Sequence, residues 1–200
     1  MIDNLEQIKQ LLNFENEGDF YFLMVLKRNK DQPEGERDNH QSVRTIKTYC
    51  VDSIEYLDKR YDEIKQLCEM FKARAYIHVQ KQNHKDVSLE MMMSLAERIK
   101  NGQHIQKGLF DSVVGQIKTY EKKWIVDVDT KDNKEILNIK LKIDSCQPFG
   151  RDKIIAEIPT KNGYHLITEK FDVMEFMKVF PDVDVQKKNP SILYIPSSLC

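Results

Sequence analysis

The sequence has few glycines and no long apolar run, and these two shortages exclude several classes of protein. Its 7 glycines form neither a G-x-x-x-x-G-K-[ST] nor a G-x-G-x-x-G pattern, which disfavours P-loop and Rossmann nucleotide binding. The G-x-S-x-G turn of α/β-hydrolases is also missing. No apolar run approaches the roughly 20 residues that a transmembrane helix needs, so we expect no membrane partner.

Cysteine usage and net charge give no sign of a zinc module or of bulk nucleic-acid binding. The four cysteines, Cys50, Cys68, Cys146 and Cys200, lie far apart without C-x-x-C spacing, so we expect reduced thiols. The 31 basic and 32 acidic residues nearly cancel, but such a chain can still carry a local basic groove. The acidic, amphipathic start, MIDNLEQIKQ, is not typical of a signal peptide, so we expect a cytoplasmic location. The oligomeric state is left open.

The periodicity of apolar residues predicts helices interspersed with strands. In DSIEYLDKRYDEIKQLCEMFK apolar residues recur every three or four positions, and Asp52 and Glu55 have the spacing of a capping box. A second helix, DVSLEMMMSLAERIKNG, has one apolar face that we expect in the core, formed by Leu89, Met92, Ala96 and Ile99. Strands are predicted in DFYFLMVLK, VRTIKTYCV, ARAYIHVQ, KKWIVDVD, KIIAEIPTKNGYHLIT, DVDVQ and SILYIP.

These elements predict one α+β domain over residues 1–200, with a mixed, mainly antiparallel sheet and helices packed on its faces. Residues 1–105 form an N-terminal α/β half, and residues 106–200 carry the candidate site. The segment KEILNIKLKIDSC is ambiguous, because its lysines alternate as in a strand while its composition suits a helix.

Two aspartates on one strand are the first chemical signal. Side chains two apart on a strand share a face, so Asp127 and Asp129 point together while Val126 and Val128 point into the core. Two unpaired carboxylates repel each other, and a divalent cation between them removes the repulsion. The alternative is a pair of solvated acids at a sheet margin.

A calcium loop of the helix-loop-helix type is excluded, although DVDTKDNKEILN begins with D-x-D. Asp132 stands where that loop needs glycine, and Asn138 stands where it needs a bidentate glutamate.

The second signal is a tight turn that leads into a histidine. In EIPTKNGYHLIT, Gly163 belongs to the turn and His165 lies on the strand that follows. Thr160, Lys161 and the backbone amides of the turn suit an anion-binding concavity. The alternative is an ordinary hairpin whose histidine is satisfied by its neighbours.

The segments IVDVD, TKNGYHLI and FPDVDVQ occur in the order of the three motifs of the archaeo-eukaryotic primase superfamily, which the chain resembles over roughly residues 120–196. The resemblance implies an RRM-like core and a compact primase-polymerase of a phage or mobile element. It implies that Asp127, Asp129 and Asp184 are catalytic ligands of Mg²⁺ or Mn²⁺, and that His165 contacts the phosphates of a nucleotide. Asp182 competes with Asp184 for the third acid. The Asn162-Gly163-Tyr164 run before the histidine departs from the common pattern.

Basic residues at strand ends complete the candidate site. Arg28 and Lys30 end one strand and Arg74 opens another, so we expect them, with Lys161 and Thr160, to bind a triphosphate or a template. The alternative is solvated charge flanking strands.

We therefore expect a metal-dependent nucleotidyltransferase that acts in DNA replication on nucleoside triphosphates and single-stranded nucleic acid. A non-catalytic module that binds single-stranded nucleic acid or a protein is the alternative. A metal-dependent nuclease ranks lower, because its acid-x-Lys strand is not evident.

Overall fold

The chain folds into two antiparallel sheets with helices on their outer faces. A computed structural model describes residues 1–37, 42–103, 108–117, 119 and 121–200. Over these residues the strands are β1 (Ile2–Asp3), β2 (Asp19–Arg28), β3 (Val43–Val51), β4 (Arg74–Ile77), β5 (Gln82–Asn83), β6 (Trp124–Val128), β7 (Ile154–Pro159), β8 (Tyr164–Thr168), β9 (Asp184–Gln186) and β10 (Ser191–Ile195). The helices are α1 (Leu5–Leu11), α2 (Ile54–Phe71), α3 (His84–Lys100), α4 (Leu109–Gln116), α5 (Asn133–Ser145) and α6 (Val173–Met177).

The strand order couples the two halves of the chain. The six-stranded sheet has the order β1-β10-β4-β2-β3, with β5 pairing to β2, and the four-stranded sheet has the order β7-β8-β6-β9. Strand β10 therefore crosses from the C-terminal half into the sheet of the N-terminal half. This crossing places its first residue, Ser191, beside the four-stranded sheet.

A shared apolar core joins the two sheets. Tyr21, Leu23 and Val25 of β2 pack in one cluster with Ile125 of β6 and Ile167 of β8, and helices α1 and α2 close this cluster. Helices α5 and α6 cover the other face of the four-stranded sheet, and α3 and α4 pack against the opposite face of β2. Burial of apolar area at about 25 cal/mol per Å² makes these clusters the main stabilising contribution.

The α+β prediction is confirmed, and the described strand pairs are all antiparallel. Val126 and Val128 are buried against α5, as expected for the face of β6 opposite the aspartates. The ambiguous segment is helix α5, whose buried face is Ile136, Ile139 and Ile143. Spacings of three and four residues bury these isoleucines together.

Two predictions on the helices of the first half are wrong. The cap of α2 is Ser53, whose Oγ accepts from the amide of Tyr56 at 3.2 Å, so the predicted capping residue Asp52 lies one position too early. On α3 the predicted core face is exposed, with Met92 at 68% exposure. The face that packs is instead formed by Val87, Met91 and Leu95, because α4, which was not predicted from the sequence, packs against that side.

None of the helices in the described part of the chain combines the length and apolar character that crossing a bilayer requires.

Candidate active site

A cleft of about 370 Å³ lies between the two sheets, at the end where the predicted residues gather. One wall comes from β2, β4 and β10 of the six-stranded sheet, and the other from β6, β8, β9 and the turn between β7 and β8. Its lining includes predicted residues from both halves of the sequence: Arg28, Lys30, Arg74, Asp127, Asp129, Thr160, Lys161 and His165.

The register of β6 brings three predicted side chains to one corner. Asp127 lies directly opposite His165 on β8 and directly opposite Asp184 on β9. Directly opposed residues of antiparallel strands project from the same face, with Cα atoms roughly 4.5–5.5 Å apart. Asp129 follows the end of β6 and also lines the cleft. We refer to Asp127, Asp129 and Asp184 as the acidic corner.

The register also separates the two candidates for the third acid. Asp184 is the residue of β9 that pairs with Asp127, while Asp182 is exposed on the turn before β9. Asp184 is exposed and is not among the residues that line the cleft. Its Oδ2 accepts a hydrogen bond from the side-chain Nε2 of Gln186 at 2.8 Å.

Burial, and then the negative charge nearby, make the Asp127 carboxyl unusually hard to ionise. Burial, together with the charges of Asp129 and Asp184, raises the pKa of Asp127 to about 6, and Lys30 offsets only part of this rise. The Nε2 of His165 lies 3.5 Å from the Oδ1 of Asp127. A cation bound at the corner would remove the repulsion that raises this pKa.

His165 is a neutral imidazole held from two sides. Burial lowers its pKa to about 4, so the ring is uncharged at neutral pH and its contact with Asp127 is not an ion pair there. Its Nδ1 lies 3.0 Å from the hydroxyl oxygen of Ser191 on β10. Its Nε2 faces Asp127 and the cleft.

The turn between β7 and β8 is held against the acidic strand by a glycine. A Cβ on Gly163 would fall 2.6 Å from the carbonyl oxygen of Thr130 and still closer to that of Val128. The Gly163 amide donates to Thr160 Oγ1 at 3.0 Å, and the Thr160 amide donates to the Gly163 carbonyl at 2.9 Å. Thr160 therefore closes the turn with groups that we had predicted to bind an anion.

Three of the basic side chains that line the cleft already make hydrogen bonds or ion pairs within the protein. Arg28 Nη1 donates to the Tyr76 hydroxyl at 2.9 Å, and Arg74 Nη2 pairs with Asp31 Oδ1 at 2.5 Å. Lys161 Nζ donates to the Leu199 carbonyl at 3.1 Å. Holding the guanidinium groups in place before a ligand arrives lowers the entropy cost of binding an anion.

The donor set of the acidic corner suits a hard divalent cation in kind, because carboxylate oxygens are the ligands that Mg²⁺ and Mn²⁺ prefer. Within the described ranges, however, no three His, Cys, Asp or Glu side chains are already grouped so that they could hold a metal ion. The Asp184 carboxylate is instead engaged by Gln186.

Sequence reasoning missed the residues that orient the predicted ones. Ser191 contacts His165, Tyr76 holds Arg28, and Asp31 holds Arg74. Each contact joins residues at least 26 positions apart, so no local pattern could have shown it. The one partial indication in the sequence was the placement of Arg74 at the start of a strand, which pointed to the cleft end of the sheet but not to Asp31.

The chain matches no protein-family model, and comparison with curated proteins and with solved structures gives no significant match.

Proposed function

We propose that this chain is a metal-dependent nucleotidyltransferase of the primase-polymerase type, which adds nucleotides on a nucleic-acid template. The observation that carries the proposal is the register of β6, which sets Asp127 opposite both Asp184 and His165 in a cleft with basic residues on its far wall. Acids on one side and cations on the other match the charge of a metal-bound triphosphate.

The acidic corner would hold Mg²⁺ or Mn²⁺ through Asp127, Asp129 and Asp184. When bound, the metal supplies charge neutralisation at the phosphates and lowers the pKa of a coordinated hydroxyl. Because the pKa of Asp127 is about 6, its carboxylate is available to a cation above that pH and is lost to protonation below it.

The opposite wall would bind the triphosphate and the strand. Arg28, Lys30 and Arg74 supply positive charge, and Lys161 adds a further cation beside the turn. The neutral His165 can donate one hydrogen from Nε2 to a phosphate oxygen without adding charge. Its place on a buried strand fixes the direction of that donor.

Nucleotide incorporation on a primed single-stranded template, with Mn²⁺ at pH 8, tests the proposal. We expect incorporation by the wild type and its loss in the double variant Asp127→Ala, Asp129→Ala. Asp182→Ala is the matched control, because it removes an exposed carboxylate close to Asp184 but outside the acidic corner. Full activity of the double variant would refute the proposal.

The second candidate is binding without turnover, and two observations favour it. The described acids are not yet grouped around a metal, and Arg74 is already paired with Asp31. A module of this kind would bind single-stranded nucleic acid with an affinity that EDTA does not change, and it would give no incorporation.

A further inference from the structure

His165 is hydrogen-bonded to a residue of the six-stranded sheet. Ser191 is the first residue of β10 and is fully buried, and its Oγ lies 3.0 Å from His165 Nδ1. The same strand pairs with β4 through Ser191 and Ile77. A hydrogen bond thus links the ring of His165 directly to the six-stranded sheet, which forms the other wall of the cleft.

The surroundings of the ring decide which nitrogen carries the hydrogen. A neutral imidazole has one N–H, and its other nitrogen is an acceptor. Nε2 lies 3.5 Å from Asp127 Oδ1, and an ionised carboxylate only accepts. A lone pair on Nε2 would be repelled by that oxygen, so the hydrogen belongs on Nε2. Nδ1 is then the acceptor, and the Ser191 hydroxyl donates to it.

Ser191 cannot itself be a nucleophile. Its side chain has no exposed surface, and its hydroxyl hydrogen is directed to Nδ1 rather than into the cleft. Its contribution is to the His165 ring. In a neutral histidine, the hydrogen bond made by one ring nitrogen sets the orientation of the ring and decides which nitrogen carries the hydrogen.

We propose that Ser191 is a positioning residue that fixes His165 as the Nε2–H tautomer, with that hydrogen presented to a phosphate oxygen of a nucleoside triphosphate in the cleft. The phosphate ligand rests on the proposed function, whereas the tautomer does not. Without Ser191 the ring has no donor on Nδ1 and can turn or exchange its hydrogen between the two nitrogens.

Nitrogen NMR of the ¹⁵N-labelled full chain at pH 7.5 tests the tautomer without any activity measurement. The chain has 5 histidines, and His165→Gln identifies the signals of His165. We expect the wild-type ring as a single tautomer with the hydrogen on Nε2, and a tautomer mixture in Ser191→Ala. Ser191→Thr, which keeps the hydroxyl, should restore the single tautomer.

Thr168→Val is the matched control. Thr168 is fully buried on the same strand as His165, and its Oγ1 has no hydrogen-bond partner among the described residues. Removing this hydroxyl should leave the His165 signals unchanged. A wild-type ring with its hydrogen on Nδ1 overturns the inference even if no variant folds, as does an unchanged ring in Ser191→Ala.

A kinetic readout connects the tautomer to the substrate. We expect Ser191→Ala to raise the KM for the nucleoside triphosphate about tenfold, because the loss of one hydrogen bond weakens binding by about that factor. The change in kcat should be smaller. An unchanged KM alongside the expected NMR result overturns the phosphate role. If the wild type gives the expected tautomer but no incorporation, the proposed function fails and the structural role of Ser191 stands.

Discussion

Two aspartates in this protein, one buried and one partly buried, have opposite surroundings. Asp19, at the start of β2, accepts from the amides of Asn16 at 2.9 Å and Glu15 at 3.2 Å, from Asn83 at 3.1 Å, and pairs with Lys81 at 3.3 Å. Burial alone would raise its pKa, but the bonds from Asn16, Asn83 and Lys81 lower it to about 2. It is a fully satisfied carboxylate.

Asp127 is the converse case. Two further acids face it, and burial and those acids raise its pKa to about 6. A carboxylate surrounded by donors stabilises the fold, whereas one surrounded by acids costs stability. The comparison therefore separates an aspartate that the fold satisfies from one that it leaves unsatisfied, and the second is the one that we propose as a metal ligand.

The largest expected effect is on activity at Asp127. Asp127→Asn removes a charge but keeps the shape, so we expect nucleotide incorporation to fall about 100-fold or more. At pH 8 the free energy of unfolding of the same variant in urea should be about 1 kcal/mol higher, because a poorly solvated charge has been removed. The gain is small because the side chain is partly exposed and solvent already screens the charge. If Asp127→Asn were instead less stable than the wild type, Asp127 would behave as Asp19 does, and the contrast between the two aspartates would be wrong.

The next effect is on the fold at Gly163. Gly163→Ala places a methyl group against the Val128 and Thr130 carbonyls, so we expect a loss of more than about 3 kcal/mol in urea unfolding. Gly115→Ala on α4 is the control, because a Cβ there meets no atom within 4 Å and alanine favours the helix. Equal stability of the two variants would show that the turn does not depend on this close approach.

Asp19→Asn should show the reverse of Asp127→Asn. We expect a loss of about 2 to 4 kcal/mol, because Lys81 and two amides lose a charged acceptor in a buried site. Incorporation by the folded fraction should not change, since Asp19 is not among the residues that line the cleft. A neutral effect on urea unfolding would show that its bonds contribute nothing net.

The dependence of stability on pH separates Asp127 from His165. The raised pKa of Asp127 gives stability that is present below about pH 4 and lost as pH rises through about 6. The lowered pKa of His165 gives stability that is present above pH 6.5 and lost as pH falls through about 4. In the wild type the two trends oppose each other across this window.

Replacing either Asp127 or His165 should leave the pH dependence of stability that the other residue causes. Between pH 6.5 and 4, acidification should destabilise Asp127→Asn relative to the wild type, and it should stabilise His165→Gln. Urea midpoints across this range measure both. Parallel curves for the two variants would show that neither pKa is shifted as described.

The smallest effect concerns Thr168. Thr168→Val replaces a buried hydroxyl that lacks a partner among the described residues, so we expect a gain of about 1 kcal/mol in urea unfolding. A loss instead would show that the hydroxyl is satisfied in solution.

Local patterns in the sequence were enough to predict most elements. Alternation predicted β6 and the hairpin of β7 and β8, and the three-to-four spacing predicted α2. The exposed face of α3 was mispredicted because apolar residues surround that helix. Which side is buried depends on α4, and periodicity within α3 carries no information about a packing partner.

The sequence pointed to residues most of which the structure brings to one cleft, but not to the contacts that hold them there. D-x-D on a strand and a histidine after a turn are local signals, and the structure brings both to one cleft. The contact of Ser191 with His165 depends on β10 crossing to the other sheet, which no spacing encodes.

Binding of Mn²⁺ alone, followed at pH 8 by the loss of the free-ion EPR signal, tests the acidic corner most directly. We expect the wild type to bind Mn²⁺, Asp127→Asn and Asp184→Asn to bind it at least about tenfold more weakly, and Asp182→Asn to match the wild type. Wild-type protein that binds no Mn²⁺, or an Asp127→Asn variant that binds it as tightly as the wild type, would contradict a metal site at Asp127.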